Sequence, residues 1–265
     1  MSETHFKRFV MIIRSAGFVD PDLIGSQNTL NFAYIIYLTL RSQGKPPAEI
    51  EKWVRRWFVM SMLTGRYSGS PESTFDYDIR QMHLNGFENY ARAVTAAELS
   101  DPFWNSLLPQ EMNTSASSSP YFRVFQAASV KMNDKGFLSR DISVPDLILN
   151  KSDVHHIFPR NYLKGIGMKK GQYNQIANYA IMQSEINIAI SDKPPEVYFK
   201  TILKQCNGGR KAYGGIADRD ELDINFAMHC IPDGMENKTA EDYESFLEER
   251  RKLMALKIKK YFASL

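Results

Sequence analysis

Asp153-Val154-His155-His156-Ile157-Phe158-Pro159-Arg160 is the stretch on which the reading of this chain turns. The β-favouring run from Val154 to Phe158 carries two adjacent histidines. It is stopped by Pro159, which has no N–H to give a strand ladder. After a loop containing Gly165, Gly167, Lys169, Lys170 and Gly171, the run Ile176 to Met182 reads as a second strand that includes Asn178. Ser184 stands where it would cap a helix holding Asn187. Local signals alone therefore offer a hairpin packed on a helix, with polar side chains able to do chemistry.

Outward from this stretch the pattern is helical. Apolar residues recur at three- and four-residue intervals from Phe6 to Ser15, closed by Ala16-Gly17, and again from about Ser26 to Arg41. Pro47 opens a third helix, in which Ile50, Trp53, Val54, Trp57, Phe58 and Met62 form a stripe suited to a core more than to a cofactor. The loop Gly65-Arg66-Tyr67-Ser68-Gly69-Ser70-Pro71-Glu72-Ser73 has the small residues of a phosphate cradle but lacks the Gly-Lys-Ser/Thr ending of a P-loop. It reads as a structural turn whose Ser70 caps the next helix. Phe75 to Leu84 and Phe87 to Leu99 continue the helical pattern, broken at Asn85-Gly86. Asn113 to Ser119 is a low-complexity connection, and Tyr121 to Met132 a further helix. Phe137 to Asn150 holds short apolar pieces expected as strand or extended lead-in. The change from long helices to short elements places a boundary near residue 150, giving regions 1–149, 150–207 and 208–265.

A chain of 265 residues with 43% hydrophobic side chains can fill a core without staples. A net charge of +3 is too small to imply nucleic-acid binding, so any phosphate-binding surface must be local. Such a patch is present: no acidic residue lies between Asp153 and Glu185, whereas Arg160, Lys164, Lys169 and Lys170 do. Cys206 and Cys230 lie far apart and outside CxxC spacing, against a thiolate zinc site or a disulfide framework. There is no signal-peptide pattern, and no apolar run reaches the roughly 18 residues of a membrane span. A soluble, cytoplasmic protein is expected. His83 and His229 have no second ligand nearby and read as packed or surface histidines. Tyr243 to Leu265 reads as a long helix with acidic residues leading and basic ones following, in accord with the helix dipole. Its Arg250, Arg251, Lys257, Lys259 and Lys260 suit a solvated face more than a DNA contact.

Together, His155-His156-Ile157-Phe158-Pro159, Asn178 and Asn187, closed by Ser191-Asp192-Lys193-Pro194-Pro195, resemble the ββα-metal motif of HNH endonucleases. Trp53 to Ser73, Phe226 to Pro232 and Tyr243 to Arg251 are similar to the corresponding parts of GmrSD-type, modification-dependent (Type IV) restriction proteins. The resemblance runs over residues 25–265. It implies a mainly α fold, a helical bundle body with a small ββα-metal (HNH) insert at 150–207 and C-terminal helices at 208–265 packing on the body. It also implies a DNA endonuclease in which His156 is the general base, His155 and Asn187 hold the metal, and Asn178 orients the loop. Asp153 is a further carboxylate within reach. The family often has an acidic residue where His155 stands. A regular strand would point His155 and His156 to opposite faces, so this reading expects the strand to bend or end there.

The chemistry asks for these residue types. Phosphodiester hydrolysis needs a base that titrates near neutrality, which imidazole supplies. It also needs a divalent ion at the phosphate. A His nitrogen and an Asn oxygen leave positions for water and phosphate and suit Mg²⁺ or Mn²⁺, with other divalent transition metals tolerated. The implied partners are DNA and a ParB-like NTPase half, whose Asp-Gly-Gln-Gln-Arg motif this sequence does not contain. The competing expectation is a catalytically inactive DNA-binding or assembly subunit that docks the NTPase.

Overall fold

The computed structural model describes residues 3–152 and 154–265. It is mainly helical, with one two-stranded antiparallel ribbon among the described residues. No helix among them is long and apolar enough to cross a membrane. The chain divides into two compact units. The first comprises residues up to Leu108 together with Ser118–Lys131 and Ile258–Leu265; the second comprises Pro109–Ser117 and Met132–Lys257. Residues 132–149 thus belong with the ribbon, upstream of the boundary expected near residue 150.

The first unit is built from α1 (Glu3–Ser15), α2 (Gln27–Ser42), α3 (Pro47–Thr64), α4 (Pro71–Asn85) and α5 (Phe87–Glu98). After the short α6 (Leu108–Glu111), which straddles the partition, α7 (Pro120–Lys131) completes this set. The local signals explain the boundaries. Ser26 caps α2 by accepting from the Thr29 amide at 3.2 Å, and Pro46-Pro47 starts α3. Gly17 follows α1 at φ +101°, and a Cβ there would lie 2.0 Å from the Ala127 carbonyl oxygen. No other residue fits where these backbones meet.

The core of this unit is aromatic: the Phe32 ring meets those of Trp57, Tyr67 and Phe75, and Tyr67 meets Phe75. At its centre the fully buried Asp78 accepts from Arg66 Nε at 2.9 Å, Tyr67 Oη at 2.7 Å and Tyr90 Oη at 2.6 Å. Trp57 Nε1 in turn donates to Tyr67 Oη at 2.9 Å. The loop from Gly65 is therefore a structural turn, its Arg66 and Tyr67 turned inward onto α4. Ser70 does precede α4, but its side chain makes no capping bond.

The second unit contains α8 (Val144–Leu149), β1 (Val154–His156), α9 (Arg160–Gly165), α10 (Lys170–Tyr173), β2 (Tyr179–Ile181), α11 (Ser184–Ile190), α12 (Pro195–Cys206) and α13 (Arg219–Met228). The long α14 (Tyr243–Ala263) gives this unit its residues up to Lys257. Three expectations are corrected. The segment before Asn150 is not strand: Ser143 and Asp146 form a reciprocal capping box that starts α8. The segment expected as a glycine and lysine loop contains the two short helices α9 and α10. The cap position of α11 is held by Gln183, with Ser184 already helical.

Removing the Asp78 carboxylate would leave the Arg66 guanidinium, whose side chain is 12% exposed, without its main partner. The Asp78→Ala variant is expected to lose about 3–5 kcal/mol of stability, read as a lowered midpoint in urea unfolding.

Candidate active site

The ribbon pairs Val154 with Ile181, His155 with Ala180 and His156 with Tyr179. Each strand has only three residues, and β1 ends at His156. Neighbouring side chains of a strand alternate between faces. His156 accordingly shares a face with Tyr179, their rings 5.2 Å apart and edge-on, while His155 belongs to the other face.

The turn after β1 is held by Asn178. Its carbonyl accepts from the Ile157 amide at 2.8 Å, and its Oδ1 accepts from the Phe158 amide at 2.8 Å. Its Nδ2 donates to the Phe158 and Tyr173 carbonyls, each at 3.1 Å. The side chain is fully buried and its amide hydrogen-bonds through both its oxygen and its nitrogen. From α12, Tyr198 Oη donates to the Ile157 carbonyl at 2.7 Å. The Phe158 ring packs against Tyr243 and Phe246 of α14. The backbone leaving His156 is thus fixed from three directions.

His156 itself is half-buried, and its Nε2 lies 2.9 Å from Asn174 Oδ1. An amide oxygen only accepts, so Nε2 carries the proton and the Nδ1 lone pair is left to act as a base. Burial lowers the pKa of His156 below its ordinary value, and the charges of Arg160 and His155 lower it further; the Asn174 bond works in the opposite direction. The net result favours neutral imidazole, the form a general base requires.

Asn187 sits on α11, half-buried, and His155 is half-buried on β1. Asp153 lies outside the described residues. Among the described residues no three His, Cys, Asp or Glu side chains gather. The donor set expected here is different, the imidazole of His155 and the amide oxygen of Asn187 with Asp153 as a further carboxylate, and the regular register of β1 sets His155 on the face opposite His156. Arg160, Lys164, Lys169 and Lys170 are all exposed on or beside α9 and α10, and none forms an ion pair among the described residues.

Two basic residues of α14 depart from the solvated face expected of them. Arg250 is completely buried and donates to the carbonyls of Ala177 and Tyr179, each at 2.7 Å, and of His229 at 3.0 Å. Burial lowers its pKa to about 10. Lys257 is buried against Asp134 and the Met228 carbonyl. His229 packs as expected: its Nε2 donates to the Lys135 carbonyl at 2.7 Å, and burial pushes its pKa down to about 3. Asn174 and Arg250 are the site-shaping residues that sequence reasoning missed. A polar residue four before Asn178 was the available hint for the first; nothing local distinguished the second from its charged neighbours.

In comparison with known proteins, the chain is 26% identical over 216 residues to an uncharacterized protein of Methanocaldococcus jannaschii, covering 77% of this chain and 36% of that protein. The chain therefore spans about a third of the length of this relative. No family model matches the chain. No solved structure matches it.

The Asn178→Ala variant removes three buried hydrogen bonds made by the side chain. At about 1–3 kcal/mol for each buried group left unsatisfied, it is expected to lose at least about 3 kcal/mol, with faster hydrogen exchange at the Phe158 amide as the local readout.

Proposed function

We propose that the chain is a divalent-metal-dependent HNH endonuclease hydrolysing DNA phosphodiester bonds, the nuclease part of a GmrSD-type restriction or phage-defence system. The observation that carries this reading is the setting of His156. Its ring is oriented by Asn174, its backbone exit is clamped by Asn178, and its Nδ1 is left as a neutral base.

In this reading His156 Nδ1 takes the proton of the attacking water. Asn174 Oδ1 keeps the ring in place and accepts from the Nε2–H of the imidazolium that results. His155 and Asn187, with Asp153 as an additional carboxylate, would hold Mg²⁺ or Mn²⁺, whose chemistry there is to neutralise charge on the phosphate and the departing oxygen. Arg160, Lys164, Lys169 and Lys170 approach the DNA backbone as exposed surface charges, which position the duplex without reading its bases. A ParB-like NTPase is the partner this assignment calls for. The alternative, a subunit that binds DNA or docks that partner without cutting, draws on the imidazole standing where a carboxylate is common in the family.

In plasmid cleavage with Mg²⁺ or Mn²⁺, the His156→Ala variant is expected to be slower by about 10²-fold or more; equal nicking by both proteins would end the catalytic assignment. The pH profile gives a second check. His156 acts only when neutral and its pKa is depressed, so the rate holds down to the ordinary histidine value of 6.5 and falls below it. The Asn174→Ala variant removes an influence that raises this pKa. Its acid limb should therefore move to still lower pH while its maximal rate drops about tenfold.

A further inference from the structure

In the first unit, α1, α2 and α3 surround a cleft of about 650 Å³ that the nuclease assignment does not use. Its size is that of a small-molecule site. α1 turns Arg8, Met11 and Ile12 toward it, spaced as one face of a helix. α2 adds Tyr37 and Arg41, one turn apart, and the start of α3 adds Pro47 and Ile50.

The lining is segregated by chemistry. Ile12, Pro47 and Ile50 make an aliphatic floor, extended at the rim by Met11, which is 68% exposed. Above it stand three cations, Arg8, Arg41 and Lys45, and one carboxylate, Glu51. The carboxylate is committed to Arg55 at 3.4 Å, and Lys45 to Glu49 at 3.1 Å and Glu88 at 2.5 Å. Arg8 and Arg41 form no ion pair among the described residues; Arg41 reaches the Tyr37 hydroxyl at 3.4 Å. Both guanidinium groups also act on His5, whose pKa is lowered first by burial, then by Arg41 and then by Arg8. Two cations without a carboxylate partner among the described residues therefore line the same cleft as uncovered apolar surface. One anion with an apolar body matches both.

The same lining argues against a nucleotide. The hydroxyls of Tyr37 and Ser15 are engaged by Arg41 and Arg55, and the floor is aliphatic. We propose that this cleft binds an aliphatic carboxylate, the acyl chain lying on Ile12, Pro47 and Ile50 and the head group held between Arg8 and Arg41.

The probe is dodecanoate, titrated into the full chain below its micelle concentration and followed by isothermal titration calorimetry. Saturation at one per chain is expected, with 1-dodecanol and inorganic phosphate each weaker by about tenfold or more, since each lacks one half of the recognition. The double variant Arg8→Gln/Arg41→Gln should bind about tenfold more weakly or worse, with its circular dichroism and plasmid cleavage unchanged. Met11→Asp, a change at an exposed position, should weaken dodecanoate without altering the fold. Saturable binding that the double variant retains in full would overturn the proposal, as would equal affinity for 1-dodecanol. Association with phosphatidylglycerol vesicles while dodecanoate shows no binding would overturn it too.

Discussion

A guanidinium held by backbone carbonyls keeps the second unit in register. Taking Arg250 wholly out of water is costly unless its donors are satisfied, and they are, by the backbone oxygens of Ala177, Tyr179 and His229. Two of these oxygens flank Asn178, whose own side chain grips the turn after β1. A ribbon of two three-residue strands is too short to hold itself in water. Here it is clamped from the side of α14 by one charge and from within by one amide, and His156 inherits its position from both.

The first unit follows the same principle with the signs exchanged. Asp78 is the buried charge, and the adjacent Arg66 and Tyr67 converge on it with the distant Tyr90. Aromatic packing supplies area, but area alone does not decide which rotamer each ring adopts. A buried carboxylate with directional donors does, because leaving any donor or acceptor unmatched in the dry interior is penalised.

Much of this was legible in the amino-acid order wherever the cause was local. Gly17, Ser26, Pro47 and Asn85-Gly86 mark helix ends through backbone preferences that act within a few residues, and the structure ends its helices there. The ribbon and α11 were readable from β-favouring runs and spacing, though both strands are shorter than the runs that announced them. The capping box of Ser143 and Asp146 was also local, yet it was outweighed by the β-branched and aliphatic residues around it. What stayed hidden depends on distant partners. Arg250 and Lys257 look like their solvated neighbours until Ala177, Tyr179 and Asp134 are brought to them, and Asn174 acquires meaning only beside His156. The division into units was hidden for a related reason: α14 is one uninterrupted helix whose last turns are counted with residues from the other end of the chain.

The carbonyl cage around Arg250 has a bearing on how this molecule responds to its surroundings. Peptide oxygens do not titrate, and mobile ions do not screen a contact sealed from solvent. The ribbon should accordingly keep one geometry across wide changes of acidity and ionic strength. It is a constant background, against which the behaviour of a single imidazole and a few surface lysines stands out unmixed.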